Sequence, residues 1–223
     1  MSEVPAALIV GAAPIEGHEA FYSAHIRAAE LVIAADGGCT LCRWSGRVPD
    51  VCIGDFDSVP GEDLAWAEAH GARIARFPTA KDESDLDLAV RKARSIGVRT
   101  LDLTAAFVGR LDHSLASLGT LLSVADLGAR GLEWNVTIYP LDADSQDAIT
   151  LCEASGTLFS VYALPGSAAV SIVGARYELA SAHVEPLSSL GLSNVVAGRD
   201  VTVTVEQGTA LVIVTGGCDA PRS

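Results

Sequence analysis

Two carboxylates, Asp55 and Asp57, straddle a phenylalanine directly after a short apolar run in "VCIGDFDSVP" (51–60). Ionised side chains so near a hydrophobic strand must be solvated, paired or bound to a cation. Other acids occupy comparable places. Asp36 closes "VIAADGG" (32–38), Asp82 and Asp85 follow "RIARF" (73–77), and Asp112 follows "TLDLT" (100–104). Lys81 and Arg110 sit among them. N-capping accounts for one or two of these acids, because Asp and Ser favour helix starts. It does not account for so many, nor for the interleaved cations. Carboxylates with one Lys and one Arg suit a nucleoside triphosphate. Oxygen ligands would hold Mg²⁺, the metal would bridge phosphate oxygens, and the cations would neutralise the remaining charge. Neither G-x-x-x-x-G-K-[ST] nor G-x-G-x-x-G occurs, so P-loop and dinucleotide-binding readings lose their main support.

The elements that must position these residues alternate between strand-like and helix-like pieces. "ALIVG" (7–11), "LVIAADGG" (31–38), the run at 51–53, "RIARF" and "RTLDLT" (99–104) read as strands. Helical stretches are expected at about 17–29, 39–45, from Pro60, from Ser84 to Gly97, and at 114–127. Leu86, Ala89, Val90, Ala93 and Ile96 carry the helical spacing in the fourth of these. Such alternation implies a mainly parallel sheet with helices on both faces. In open sheets of this kind, ligands bind beyond the carboxyl ends of the strands, where the acids lie.

Beyond about Glu133 the texture changes to short β-rich runs: "VTIYPL", "TLFSVYAL", "AAVSIV" and "DVTVTVEQGTALVIVT". Val201, Val203 and Val205 alternate with threonines as a half-exposed strand should, and "EQGTA" is expected to close a hairpin. The expected organisation is therefore an α/β domain over residues 1–133, then an antiparallel β-sandwich or barrel over 134–223.

Composition narrows the partners. With 223 residues, 49% of them hydrophobic, the chain can bury a sizeable core. A formal net charge of −13 argues against a nucleic-acid or anionic-membrane surface. A small phosphorylated ligand stays possible, since a bound divalent cation inverts the local sign. The sequence shows no long uninterrupted apolar stretch and no signal-peptide pattern, so a cytoplasmic location is expected. Five cysteines, including Cys39, Cys42 and Cys52, lack a second metal-ligand pair and read as reduced, packed thiols.

Five stretches resemble the thiamine pyrophosphokinase (thiamine diphosphokinase) family: "AADGG" (34–38), "PDVCIGDFDS" (49–58), "KDESDLDLAV" (81–90), "GRLDHSLASL" (109–118) and "GLSN" (191–194). They stand in the family's order and span most of the chain. The resemblance implies an α/β domain, a β domain, a homodimer, and transfer of a pyrophosphoryl group from ATP to thiamine with release of AMP. It implies that Asp55, Asp57 and Asp85 hold Mg²⁺ against phosphate, and that Lys81 and Arg110 contact phosphate. Asp112 falls at a further active-site aspartate, and Asp36 at the nucleotide edge. Ser193 and Asn194 match the thiamine-contacting pair, which in the family reaches the site of the opposite subunit. Tyr177, in "GARYEL", lies where an aromatic could stack on the pyrimidine or simply pack. The chain departs from the family's pattern at Val108, often glycine, and at Ser117, usually asparagine.

Two rivals share parts of this reading. A pyrophosphokinase for another hydroxymethyl heterocycle, such as a pterin, would keep the acidic site and change Ser193, Asn194 and Tyr177. A non-catalytic nucleotide- or thiamine-binding regulator need not keep all six of Asp55, Asp57, Lys81, Asp85, Arg110 and Asp112. His113 is a candidate base, although a histidine at a helix start also serves as a cap or packed side chain.

Overall fold

The structure, a computed structural model, describes residues 6–80 and 82–216. The chain divides into two compact units. The first comprises the described residues up to Thr120 together with Gly131–Trp134, and the second comprises Leu121–Arg130 and the residues from Asn135.

The first unit is built from β1 (Ala6–Val10), α1 (Glu19–Ala28), β2 (Leu31–Ala35), α2 (Gly38–Ser45), β3 (Val51–Gly54), α3 (Gly61–Ala69), β4 (Arg73–Arg76), α4 (Asp85–Ile96), β5 (Thr100–Thr104) and α5 (Leu111–Leu122), with β6 (Arg130–Glu133) returning beside β5. The strands β5-β1-β2-β3-β4 run parallel in that order. Leu8, Val10, Val32, Ala34 and Cys52 form one core with Tyr22 and Ile26 of α1, Cys39 and Cys42 of α2, and Leu64 of α3. The alternate residues Ile9, Ile33 and Ile53 are equally buried and outside that core, so they must cover the other face, where α4 packs on β1, β2 and β3. Burial on both faces is why these strands read as continuous apolar runs. Cys39, Cys42 and Cys52 are buried free thiols, as expected, whereas the free thiol of Cys152 is exposed and not packed.

Helix ends follow local chemistry. Ser84 caps α4 by a capping box: its hydroxyl accepts the Asp87 amide at 3.1 Å, and Asp87 Oδ2 accepts the Ser84 amide at 3.1 Å. The helix expected at 114–127 starts earlier, at Leu111, and stops at Leu122, with a separate 3₁₀ turn over Ala125–Leu127. A Cβ at Gly38 would lie 2.0 Å from the Val10 carbonyl oxygen, so only glycine lets α2 begin against β1.

The second unit contains β7 (Val136–Asp142), β8 (Ala148–Leu151), β9 (Leu158–Ala163), β10 (Ala168–Val173), β11 (Leu179–Val184), β12 (Asn194–Val195), β13 (Val201–Gln207) and β14 (Thr209–Thr215). Two antiparallel sheets, β12-β9-β14-β7 and β11-β10-β13-β8, share one core. Phe159, Val161, Val212 and Val214 from one meet Val170, Ile172, Val203 and Val205 from the other. This is the expected sandwich. The expected hairpin at "EQGTA" is not formed. Among the described residues, β13 pairs with β10 and β8, whereas β14 pairs with β7 and β9. Gly208, at φ 76°, turns the chain from one sheet into the other. Alternation on β13 and the continuous apolar run of β14 look alike locally whether the strands are neighbours or cross the core.

Candidate active site

A cleft of about 850 Å³ opens at the carboxyl ends of the parallel strands of the first unit. Most of its lining comes from strand-to-helix connections. Gly11, Ala12 and Ala13 follow β1, Asp36 follows β2, and Asp55 and Ser58 follow β3. Thr79 follows β4, Asp85 opens α4, and Ala105, Ala106, Val108 and Arg110 follow β5. Three of these turns hold a non-glycine residue in the left-handed region: Asp36 at φ 44°, Phe56 at φ 62° and Ala105 at φ 53°. Such backbone strain gathers where a side chain must be aimed against the local preference.

Asp36, Asp55 and Asp85 each offer a carboxylate oxygen, and these atoms lie within 4.8 Å of one another. Asp36 Oδ2 accepts the Ser58 hydroxyl at 2.7 Å. Asp36 Oδ1 is buried and has no hydrogen-bond partner among the described residues. A buried carboxylate oxygen without a donor, beside two further acids, calls for a cation. Three hard oxygen donors fit Mg²⁺, which takes oxygen ligands and keeps part of its water shell.

Asp57 stands outside this group. Its amide donates to Asp55 Oδ1 at 3.2 Å, its side chain is exposed, and the left-handed Phe56 between the two residues is itself buried. The turn that buries the phenylalanine breaks the same-side alternation expected of residues two apart in a strand. Asp36, which the resemblance placed at the nucleotide edge, lies with Asp55 and Asp85. Lys81 lies outside the described residues.

Arg110 lines the cleft and is joined to Asp112 at two points, Nη2 to Oδ2 at 2.6 Å and Nε to Oδ1 at 3.1 Å. Asp112 Oδ1 also accepts the His113 amide at 3.0 Å. The Arg110 hydrogen bonds hold the Asp112 carboxyl well below its ordinary value, at about 2. The two hydrogen bonds fix the direction of the Arg110 guanidinium against Asp112. His113 and Ser117 line the same cleft.

In the second unit Asn194 is buried, and both its side-chain oxygen and nitrogen are hydrogen-bonded. Oδ1 accepts the amides of Tyr177 at 3.0 Å and Val195 at 2.9 Å, and Nδ2 donates to the Tyr177 carbonyl at 2.7 Å. Asn194 therefore fixes the Tyr177 backbone, leaving the Tyr177 ring exposed. Ser193, at φ 56°, is exposed and donates its amide to Ser160 Oγ at 3.1 Å.

Sequence reasoning missed Ser58, the partner of Asp36, although its place beside the paired aspartates was a local signal. It also missed Glu133 and Tyr22. Glu133 accepts the Ala106 and Phe107 amides, contacts 27 and 26 residues apart in the chain that no local pattern reveals.

Comparison with known proteins matches residues 22–130 to a family described as "Thiamin pyrophosphokinase, catalytic domain". Residues 148–210 match "Thiamin pyrophosphokinase, vitamin B1 binding domain". The chain is similar to a thiamine pyrophosphokinase of Bacillus subtilis (strain 168), 24% identical over 193 residues, covering 82% of this chain and 86% of the relative. Its fold is similar to solved structures of thiamine pyrophosphokinases. That from Bacillus subtilis superimposes with a TM-score of 0.80 at 20% identity, covering 96% of this chain and all of the other. That from Geobacillus thermodenitrificans gives 0.78 at 22%, over 96% and 99%. The yeast structure gives 0.74 at 12%, over 96% and 87%.

Proposed function

The chain belongs to the thiamin pyrophosphokinase family, and on that premise we propose that it transfers a pyrophosphoryl group from ATP to thiamine, giving thiamine diphosphate and AMP. The observation that carries the reading at this chain's own residues is the triad Asp36, Asp55 and Asp85, with a buried Asp36 oxygen that has no partner among the described residues, in a cleft that Arg110 also lines.

The thiamine hydroxyl oxygen bonds to the β-phosphorus as the bond from that phosphorus to the α–β bridging oxygen breaks, and AMP departs. Little covalent chemistry falls to the protein, so positioning and charge neutralisation supply most of the rate. Asp36, Asp55 and Asp85 would hold Mg²⁺, which neutralises phosphate charge when bound. Asp57 enters the metal set on the resemblance alone, as does Lys81 for phosphate. Arg110 presents the guanidinium nitrogens that Asp112 leaves free, and Asp112 fixes their direction. Asp55 or Asp112 could take the thiamine hydroxyl proton, and the hydrogen bonds that Asp112 accepts from Arg110 and His113 weigh toward Asp55. Thiamine falls to Ser193, Asn194 and Tyr177, with Asn194 acting through the Tyr177 backbone. We read the working assembly as a cytoplasmic homodimer with sites shared between subunits. Among the described residues, no helix is long and apolar enough to cross a membrane.

The test is direct. Incubation with Mg²⁺, ATP and thiamine should yield AMP and thiamine diphosphate in equal amounts. AMP formed faster with a hydroxymethylpterin, or none with either acceptor, would refute the assignment.

A further inference from the structure

Tyr22 and Glu133 form a buried polar cluster on which the reaction above makes no demand. Glu133, at the end of β6, is 3% exposed. Its Oε1 accepts the backbone amides of Ala106 at 2.9 Å and Phe107 at 3.0 Å. Its Oε2 accepts the Tyr22 hydroxyl at 2.6 Å, and that hydroxyl accepts the Ile15 amide at 2.9 Å. One carboxylate thereby grips two connections. The β5–α5 connection carries Ala106, Val108 and Arg110; the β1–α1 connection carries Ala12 and Ala13. All five of these residues line the cleft.

Burying a carboxylate is costly, and burial pushes this one's pKa up while its three donors oppose the shift. An apolar residue would fill the space without that cost. What an apolar residue cannot do is satisfy two loop amides and orient a tyrosine hydroxyl that in turn satisfies a third.

We propose that Glu133, with Tyr22 as its relay, is the positioning residue for the nucleotide end of the cleft, setting the separation of the β1–α1 and β5–α5 connections that ATP must fit. The inference rests on the assignment of this cleft to ATP.

Tyr22→Phe cuts the link to Ile15 and spares the Ala106 and Phe107 amides. Glu133→Gln keeps one oxygen for those amides and removes the acceptor for Tyr22. Each variant should raise the Mg²⁺-ATP dissociation constant, read by calorimetry, about fivefold, with the KM for thiamine at saturating ATP within about twofold of wild type. The double variant should be no worse than the weaker-binding single, because both cut one relay. A merely structural role would lower the folded fraction, so the apparent kcat would fall while the dissociation constant and both KM values stayed put. That result overturns the proposal, as does unaltered Mg²⁺-ATP binding in both single variants or multiplicative effects in the double. Wild-type protein that binds Mg²⁺-ATP but makes no thiamine diphosphate would refute the activity instead, leaving the binding comparison to judge the relay.

Discussion

Arg110 and Asp112 grip each other at two points, with guanidinium nitrogens 2.6 and 3.1 Å from the carboxylate oxygens, although both side chains are largely exposed. The pair leaves Nη1 of Arg110 and part of Nη2 for phosphate.

Asp112→Asn should therefore raise the KM for ATP several-fold, by about threefold or more, while leaving thermal stability unchanged. Because the folded-state pKa of Asp112 is depressed to about 2 from 3.8, the pairing is complete above about pH 4 and is lost as pH falls through about 2. ATP kinetics between pH 5 and 9 should show no ionisation from this pair. A carboxyl titration by nuclear magnetic resonance should find the Asp112 midpoint near 2, returning toward 3.8 in Arg110→Ala.

Asp55→Asn and Asp85→Asn should each lower AMP formation on the order of a hundredfold or more, since an amide cannot supply the missing charge. Asp36→Asn should raise the half-saturating Mg²⁺ concentration about tenfold with the fold intact by circular dichroism. Mg²⁺ titrations of turnover check all three. A wild-type Mg²⁺ dependence in Asp36→Asn would remove Asp36 from the cation site.

Asn194→Ala leaves the Tyr177 amide and carbonyl without partners, so it should cost about 1–3 kcal/mol of stability and weaken thiamine use together. Ser193→Ala breaks no described side-chain hydrogen bond and should weaken thiamine use by about 1–2 kcal/mol with stability unchanged. Thermal melts beside thiamine kinetics separate the two residues; equal melting losses in both would contradict the division of roles.

Ser84→Ala removes the hydroxyl of the capping box and should cost about 1 kcal/mol. Asp85, in the first turn, should lose its fixed direction, so the Mg²⁺ requirement should rise as the melting temperature falls. A Mg²⁺ requirement unmoved by the substitution would show that Asp85 is held by other means.

The strand–helix alternation of the parallel sheet and the acids at the ends of its strands could be read from the chain because both follow local rules: apolar runs of strand length, helical spacing, and turn residues. Asp55, Asp85 and Arg110 fall in the cleft for that reason. That Asp36 lies with Asp55 and Asp85 while Asp57 is exposed could not be read from "GDFD", because the left-handed backbone at Phe56 sets how the two flanking carboxylates diverge. The path of β14 into the opposite sheet of the sandwich was equally hidden, since it is set by what the strand packs against after Gly208 rather than by its own sequence. Glu133 looked like a boundary residue; its partners are brought to it only by the folded sheet.

The left-handed residues at the strand ends also bear on how this molecule would respond to selection for thermotolerance. Each costs about 1 kcal/mol or more, a sizeable share of the roughly 5–15 kcal/mol that holds a domain folded. Glycine at Ala105 would adopt its φ of 53° without that penalty. The same change would slacken the connection that carries Ala106 and Arg110. Heat-resistant variants of this chain should accordingly accumulate at such positions, and many of them should turn over slowly at ordinary temperature.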